Sequence, residues 1–139
     1  MRRSPVAFAC LLAATIAVSG CDNGPDSGPT TPTAPQVTET FTGTVTLNGS
    51  ITHSFSAASA GTVVATITSV TPSTGVIGFQ LGTWNTVTCT AVLSNDLATQ
   101  ASVLQGNTQS ASSLCVKLHD PNGILADTPV TYTVTVSHY

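Results

Sequence analysis

Charge is scarce in this chain of 139 residues, of which 6% are Asp, Glu, Lys or Arg, against about 25% in an ordinary soluble protein. Arg2, Arg3 and Lys117 are its only basic residues, so no basic face can neutralise a run of phosphates and nucleic-acid binding is excluded. Aromatic residues make up 5%. Beyond residue 36 the acids are Glu39, Asp96, Asp120 and Asp127, too few for paired-carboxylate chemistry. Gly-x-Ser-x-Gly, His-Glu-x-x-His, Ser-x-x-Lys and a phosphate-cradling glycine loop are all missing, so the chain is not expected to be an enzyme or to carry a cofactor. The length suits one ordinary domain with appendages. What replaces charge is hydroxyl, with 25 Thr and 15 Ser.

Arg2 and Arg3 precede an apolar run from Val6 to Val18, thirteen residues without a charge. A spanning helix needs roughly 20 apolar residues, and this run meets a polar stretch at once, so it reads as a secretory signal peptide over residues 1–20. Val18-Ser19-Gly20-Cys21 resembles the bacterial lipobox, although Leu is commoner than Val at its first position. The resemblance implies that Cys21 becomes the acylated first residue of the mature protein, a palmitate-type anchor holding it on a membrane of the bacterial cell envelope. An ordinary cleaved signal with an incidental Cys is the alternative. Loss of residues 1–20 leaves Lys117 against six acids, a net charge of −5.

Residues 21–37 form a tether. Pro25, Pro29, Pro32 and Pro35 stand among Gly, Ser and Thr without a large apolar side chain, a composition that cannot offset its own ordering entropy. From Thr38 the apolar residues alternate. Phe41, Gly43, Val45 and Leu47 share one face and Thr42, Thr44 and Thr46 the other, and Asn48-Gly49 predicts a hairpin into a second strand carrying Ile51, His53 and Phe55. Further strands are expected at residues 62–70, 76–83, 86–93, 101–105, 113–119 and 130–137. About eight short strands with turn signals between them indicate an all-β domain over residues 38–139, an antiparallel β-sandwich or jelly roll. With almost no Lys to blunt them, its edge strands must be covered or twisted away.

Cys10 lies in the signal and Cys21 is the lipidation candidate, which leaves Cys89 and Cys115 in the exported domain. An even pair in an oxidising compartment suggests a disulfide, and closing a loop of about 25 residues is worth roughly 3.5 kcal/mol on the chain-entropy model. Two free buried thiols are the alternative. Without a His or Cys at ligand spacing the pair does not make a zinc site.

Six segments taken together resemble a known family. They are Phe41-Thr42-Gly43-Thr44-Val45, His53-Ser54-Phe55, Ala60-Gly61-Thr62-Val63, Leu81-Gly82-Thr83-Trp84, Cys115-Val116-Lys117-Leu118-His119-Asp120 and the strand from Val130 to Val136. In this order they resemble the bacterial pre-peptidase C-terminal domain over residues 38–139. That resemblance implies a small jelly-roll sandwich, similar to the collagen-binding modules of clostridial collagenases, appended to exported proteins. Ser112, Ser113 and Leu114 replace the family's Gly-x-Tyr, and no peptidase accompanies the domain in this chain.

Trp84, at an expected strand-end turn, is the candidate ligand contact, able to stack on a sugar or a peptide, with packing at the core edge as the plainer role. Tyr132 alternates with core valines and is expected as a buried ring with its hydroxyl at the rim. His53, His119 and His138 fall on three separate strands, where packed or solvated roles are the rule. Asp120-Pro121-Asn122-Gly123 has turn chemistry. With Asp127 it offers oxygen atoms to calcium, but the acid-rich ligand segment of the collagen-binding relatives has no counterpart, so no metal is expected. The reading that follows is a noncatalytic envelope lipoprotein whose sandwich meets extracellular protein or polysaccharide. The other is a structural or secretion-linked module with no ligand.

Overall fold

Thr and Val alternate so regularly in this chain because each strand buries one face and wets the other. A computed structural model describes residues 34–125 and 128–139. The signal segment, Cys21, most of the tether and Asp127 lie outside the described residues. Eight strands follow one another: β1 (Val37–Val45), β2 (Ser50–Ala57), β3 (Gly61–Thr71), β4 (Ile77–Trp84), β5 (Cys89–Ala98), β6 (Val103–Thr108), β7 (Ser112–His119) and β8 (Val130–His138). They form two antiparallel four-stranded sheets, ordered β1-β8-β3-β6 and β2-β7-β4-β5. This is a β-sandwich with the strand order of a jelly roll.

The core is mainly aliphatic around two rings, with Val45, Ile67, Ile77, Phe79, Val116, Leu118, Tyr132 and Val134 fully enclosed between the sheets. In β8, Val130, Tyr132, Val134 and Val136 point inward, as their spacing predicts. In β3, Val63, Ala65 and Ile67 do so until a register shift between Ile67 and Ser69 restores Val70 to the core face. Leu47 departs from the expected pattern, because β1 ends at Val45 and leaves it 45% exposed.

Asn48-Gly49 turns the chain but does not make a hairpin. Gly49 donates its N–H to the Thr46 carbonyl at 2.8 Å, yet β1 pairs with β8 and β2 with β7. The turn therefore carries the chain from one sheet to the other. Asp120, at the end of β7, pins it: its carboxylate accepts the Asn48 N–H at 2.8 Å, and its own N–H goes to the Gly49 carbonyl at 2.9 Å.

Two strands start later than the sequence suggests. Asn85 Oδ1 accepts the N–H groups of Val87 and Thr88, which holds residues 85–88 as a turn, so β5 begins at Cys89. Ala101 takes a positive φ of 70° in the next turn, so β6 begins at Val103 and runs past Gln105 to Thr108.

Cys89 and Cys115 are disulfide-bonded, with their Cα atoms 5.8 Å apart. The bridge has an unusual path. Cys115 pairs with Gly82 on one side of β4, and Cys89 pairs with Trp84 on the other, so the bridge joins two strands across a third. Gly82 allows this, since a Cβ there would run into the Thr90 carbonyl and lie 2.9 Å from Ala91 Cα. A second link repeats the arrangement four residues away. The His119 ring of β7 lies over Gly78 of β4, and its Nε2 is 3.5 Å from Asp96 Oδ1 of β5.

Two measurements check this part of the molecule. Intact mass of the unreduced domain should fall two hydrogens below the reduced value, and reduction should cost about 3 kcal/mol of unfolding free energy. Gly82→Val should lower the urea midpoint by an amount equivalent to about 1–3 kcal/mol, because β5 has no room to retreat while bridged.

Candidate functional site

Trp84 stands on the outer face of its sheet, since Phe79 and Leu81 take the core face and Gly82 and Trp84 alternate with them. It is half-buried and is not among the residues of the apolar core. The neighbouring turn is stiff. Asn85 Oδ1 accepts from Val87 N at 3.0 Å, Thr88 N at 2.7 Å and Thr88 Oγ1 at 3.1 Å, and Val87 at the tip is 77% exposed. One strand-end aromatic is thus held beside an apolar tip by an Asx turn on one side and the disulfide on the other.

His53 and His138 border the same seam, and His119 lies elsewhere, over Gly78 of β4. His53 of β2 and Tyr132 of β8 meet between the sheets, Nε2 to hydroxyl at 2.8 Å. Phe41 of β1 stacks on the His53 ring at 4.9 Å. Tyr132 is fully buried, so its hydroxyl lies inside the sandwich rather than at the rim, and Gly43 makes room for it: a Cβ there would sit 2.5 Å from the hydroxyl oxygen. His138 is also buried, 3.0 Å from Glu39 and packed on Phe55. Phe41, His53, Phe55 and His138 together seal the side of the sandwich where β1 faces β2.

Ser94 donates its hydroxyl to Asp96 at 3.1 Å rather than to a histidine, and His119 Nδ1 is buried without a partner. Asp120 uses both carboxylate oxygens on backbone N–H groups, those of Asn48 and of Leu125 at 3.2 Å. It is a latch on two turns. Among the described residues no three His, Cys, Asp or Glu side chains gather as a metal site.

On the opposite side, where β5 faces β6, the sandwich is open. A cleft of about 280 Å³ lies there, lined by Val63, Leu81, Leu93 and Leu114 with Gln105 and Asn107 among its polar residues. The sequence reading missed this cleft because it ended the strand at Gln105, one residue before Gly106. A strand-interior glycine is the signal that could have found it.

No family model matches the chain, and no curated protein matches its sequence.

The sealed side generates a pH prediction. Burial lowers the pKa of His53 below 6.5 and raises that of Tyr132 to about 12. The two groups face each other, and Phe41 covers the His53 ring. Unfolded chains bind more protons at His53 than folded ones do below pH 6.5, so that contribution is complete above pH 6.5 and is lost as the pH falls toward the folded value. Tyr132 acts in the opposite direction, its contribution complete below pH 10 and lost as the pH rises toward about 12. Urea melts from pH 5 to 11 should show a plateau between these limbs, and His53→Gln should flatten the acid limb. An unchanged acid limb in that variant would assign it to other groups.

Proposed function

We propose that this chain is a noncatalytic envelope lipoprotein, acylated at Cys21, whose tether over residues 21–37 presents the sandwich to extracellular protein or polysaccharide. The observation that carries the ligand-binding part is Trp84: a half-buried aromatic outside the core, on a hairpin fixed by a disulfide and an Asx turn. A preordered aromatic loses little freedom on binding, so a small contact can yield measurable affinity. The lipobox-like Val18-Ser19-Gly20-Cys21 supports the anchor. The likeness of six segments to the pre-peptidase C-terminal domain supports a role as an appended module of exported proteins.

Recognition by such a module is short-ranged. Lys117 is the one cation beyond residue 3, so electrostatic steering is negligible, and weak single-site binding gains strength from many tethered copies. The second reading, a structural or secretion-linked module without a ligand, is favoured by the Thr and Ser that cover the outward faces of β1 and β8.

Two experiments decide between them. Radiolabelled palmitate should enter the full chain and not Cys21→Ser, and equal labelling of both ends the lipoprotein reading. The soluble unit of residues 32–139, which holds all eight strands, should be retained on at least one of collagen, peptidoglycan and polysaccharide columns, and Trp84→Ala should elute earlier. A folded unit retained on none of them supports the structural module.

A further inference from the structure

Glycine inside a strand weakens it, and its usual reason is that something else must come close. Four strand-interior glycines of the described residues can be compared on that basis. Gly43 is covered by the Tyr132 ring, Gly78 by the His119 ring and Gly82 by the backbone of β5. Gly106 is not covered. A Cβ built there would meet one atom, Leu93 Cδ1 at 3.6 Å, which is ordinary contact. Gly106 lies between Leu104 and Thr108 on the inward-facing side of β6, so the missing side chain leaves the cleft between β5 and β6.

Three features define what would fill it. The floor is aliphatic, built from Val63, Leu81, Leu93 and Leu114, and no residue lining the cleft is charged. An ionic group placed there would lose its hydration without a partner. No aromatic ring lines it either, so a sugar would find no stacking platform. A volume of about 280 Å³ falls at the lower limit for small-molecule pockets, about 300 Å³, which suits one side chain rather than a whole ligand.

The strand above the cleft supplies the rest. β6 is the outer strand of its sheet and pairs with β3 alone, in unbroken register from Thr108 opposite Gly61 to Val103 opposite Thr66. Among the described residues no strand pairs with its other edge. The opposing edge strand β5 is bent by two register shifts against β4, a common way of protecting an edge, and Val92 at one of them is 70% exposed at the cleft. β6, Val-Leu-Gln-Gly-Asn-Thr, has no such protection: no bulge, no proline and no charge.

We propose that β6 and the cleft beneath Gly106 form a binding site for an extended, uncharged peptide segment of a partner protein. The segment adds to the sheet as a fifth strand, and one of its aliphatic side chains enters the cleft. Gln105 and Asn107 flank the entry and offer amide groups to the peptide. The proposal rests on the reading of this domain as a ligand-presenting module, and it replaces an unspecified polymer by a peptide strand at β6, with a cleft that reaches Thr83 on the face of β4 opposite to Trp84.

The test uses ¹⁵N-labelled unit 32–139 and the blocked heptapeptide acetyl-Thr-Val-Thr-Leu-Thr-Val-Thr-amide. Two control peptides replace the central Leu by Asp or carry N-methylated backbone amides. Amide shifts should move along residues 103–108 with the parent peptide and not with either control. Gly106→Val, which fills the cleft at a φ that needs no glycine, should weaken binding about tenfold or more while leaving the urea midpoint unchanged or raised. Gly106→Ala, adding one methyl group, should bind with intermediate strength. Unchanged binding by a folded Gly106→Val, shifts centred on Trp84 instead, absence of shifts at millimolar peptide, or self-association through β6 in ultracentrifugation without peptide each overturns the proposal. If the peptide fails while a polymer column still retains the unit, this inference falls and the display reading stands; if neither binds, both fall.

Discussion

The close approach of β5 to β7 across β4 is the constraint on which this sheet depends. Among the described residues β4–β5 is the one ladder joining consecutive strands, and every other ladder joins strands far apart in sequence. Such non-local pairing must overcome large loop-closure entropy before its contacts form. The bridge from Cys89 to Cys115 ties the local hairpin to the strand that organises the rest of its sheet, and the His119–Asp96 contact repeats the tie nearer the other end of β4. Both crossings need a strand with no side chain in the way, which Gly78 and Gly82 supply.

The two open sides of the sandwich are treated differently. Where β1 faces β2, the domain's scarce aromatics are concentrated, with Phe41, His53, Phe55 and Tyr132 interlocked around one polar contact of 2.8 Å. A half-buried histidine and a buried tyrosine hydroxyl satisfy each other, so the seam closes with this polar pair matched. Where β5 faces β6, aliphatic residues end short of one another over Gly106. A chain with so few large side chains seals one side and leaves a cleft on the other. The same economy extends to the surface, where Thr hydroxyls rather than charges keep the outward faces wet.

Much of this architecture could be read from the chain. Alternation in β8 and in the first half of β3 is uninterrupted, so strand identity, inward face and the all-β class follow from period-two patterning alone. The cysteine pair is equally legible, because Cys89 and Cys115 are the two cysteines within residues 38–139. The β1–β2 turn was not. Asn-Gly has the same turn chemistry whether the next strand pairs with its predecessor or crosses to the other sheet, and what decides is Asp120, seventy-two residues away from Asn48. The starts of β5 and β6 were hidden for a related reason, since a captured Asn85 carboxamide and a positive φ at Ala101 override β-branched propensity nearby.

The sequence by itself determined class, inward faces and chemical character: a period of two fixes which side chains share a surface, and composition fixes that the surface is hydroxyl-rich and nearly uncharged. The tertiary structure alone decided which strands are neighbours, because pairing depends on contacts between residues that no local pattern relates. It also decided what the glycines are for. In the sequence Gly43, Gly78, Gly82 and Gly106 are four equivalent interruptions of three strands. In the folded domain three lie beneath a ring or a backbone that needed the space, and the fourth opens on a cleft, a distinction set by what each neighbouring strand brings to that position.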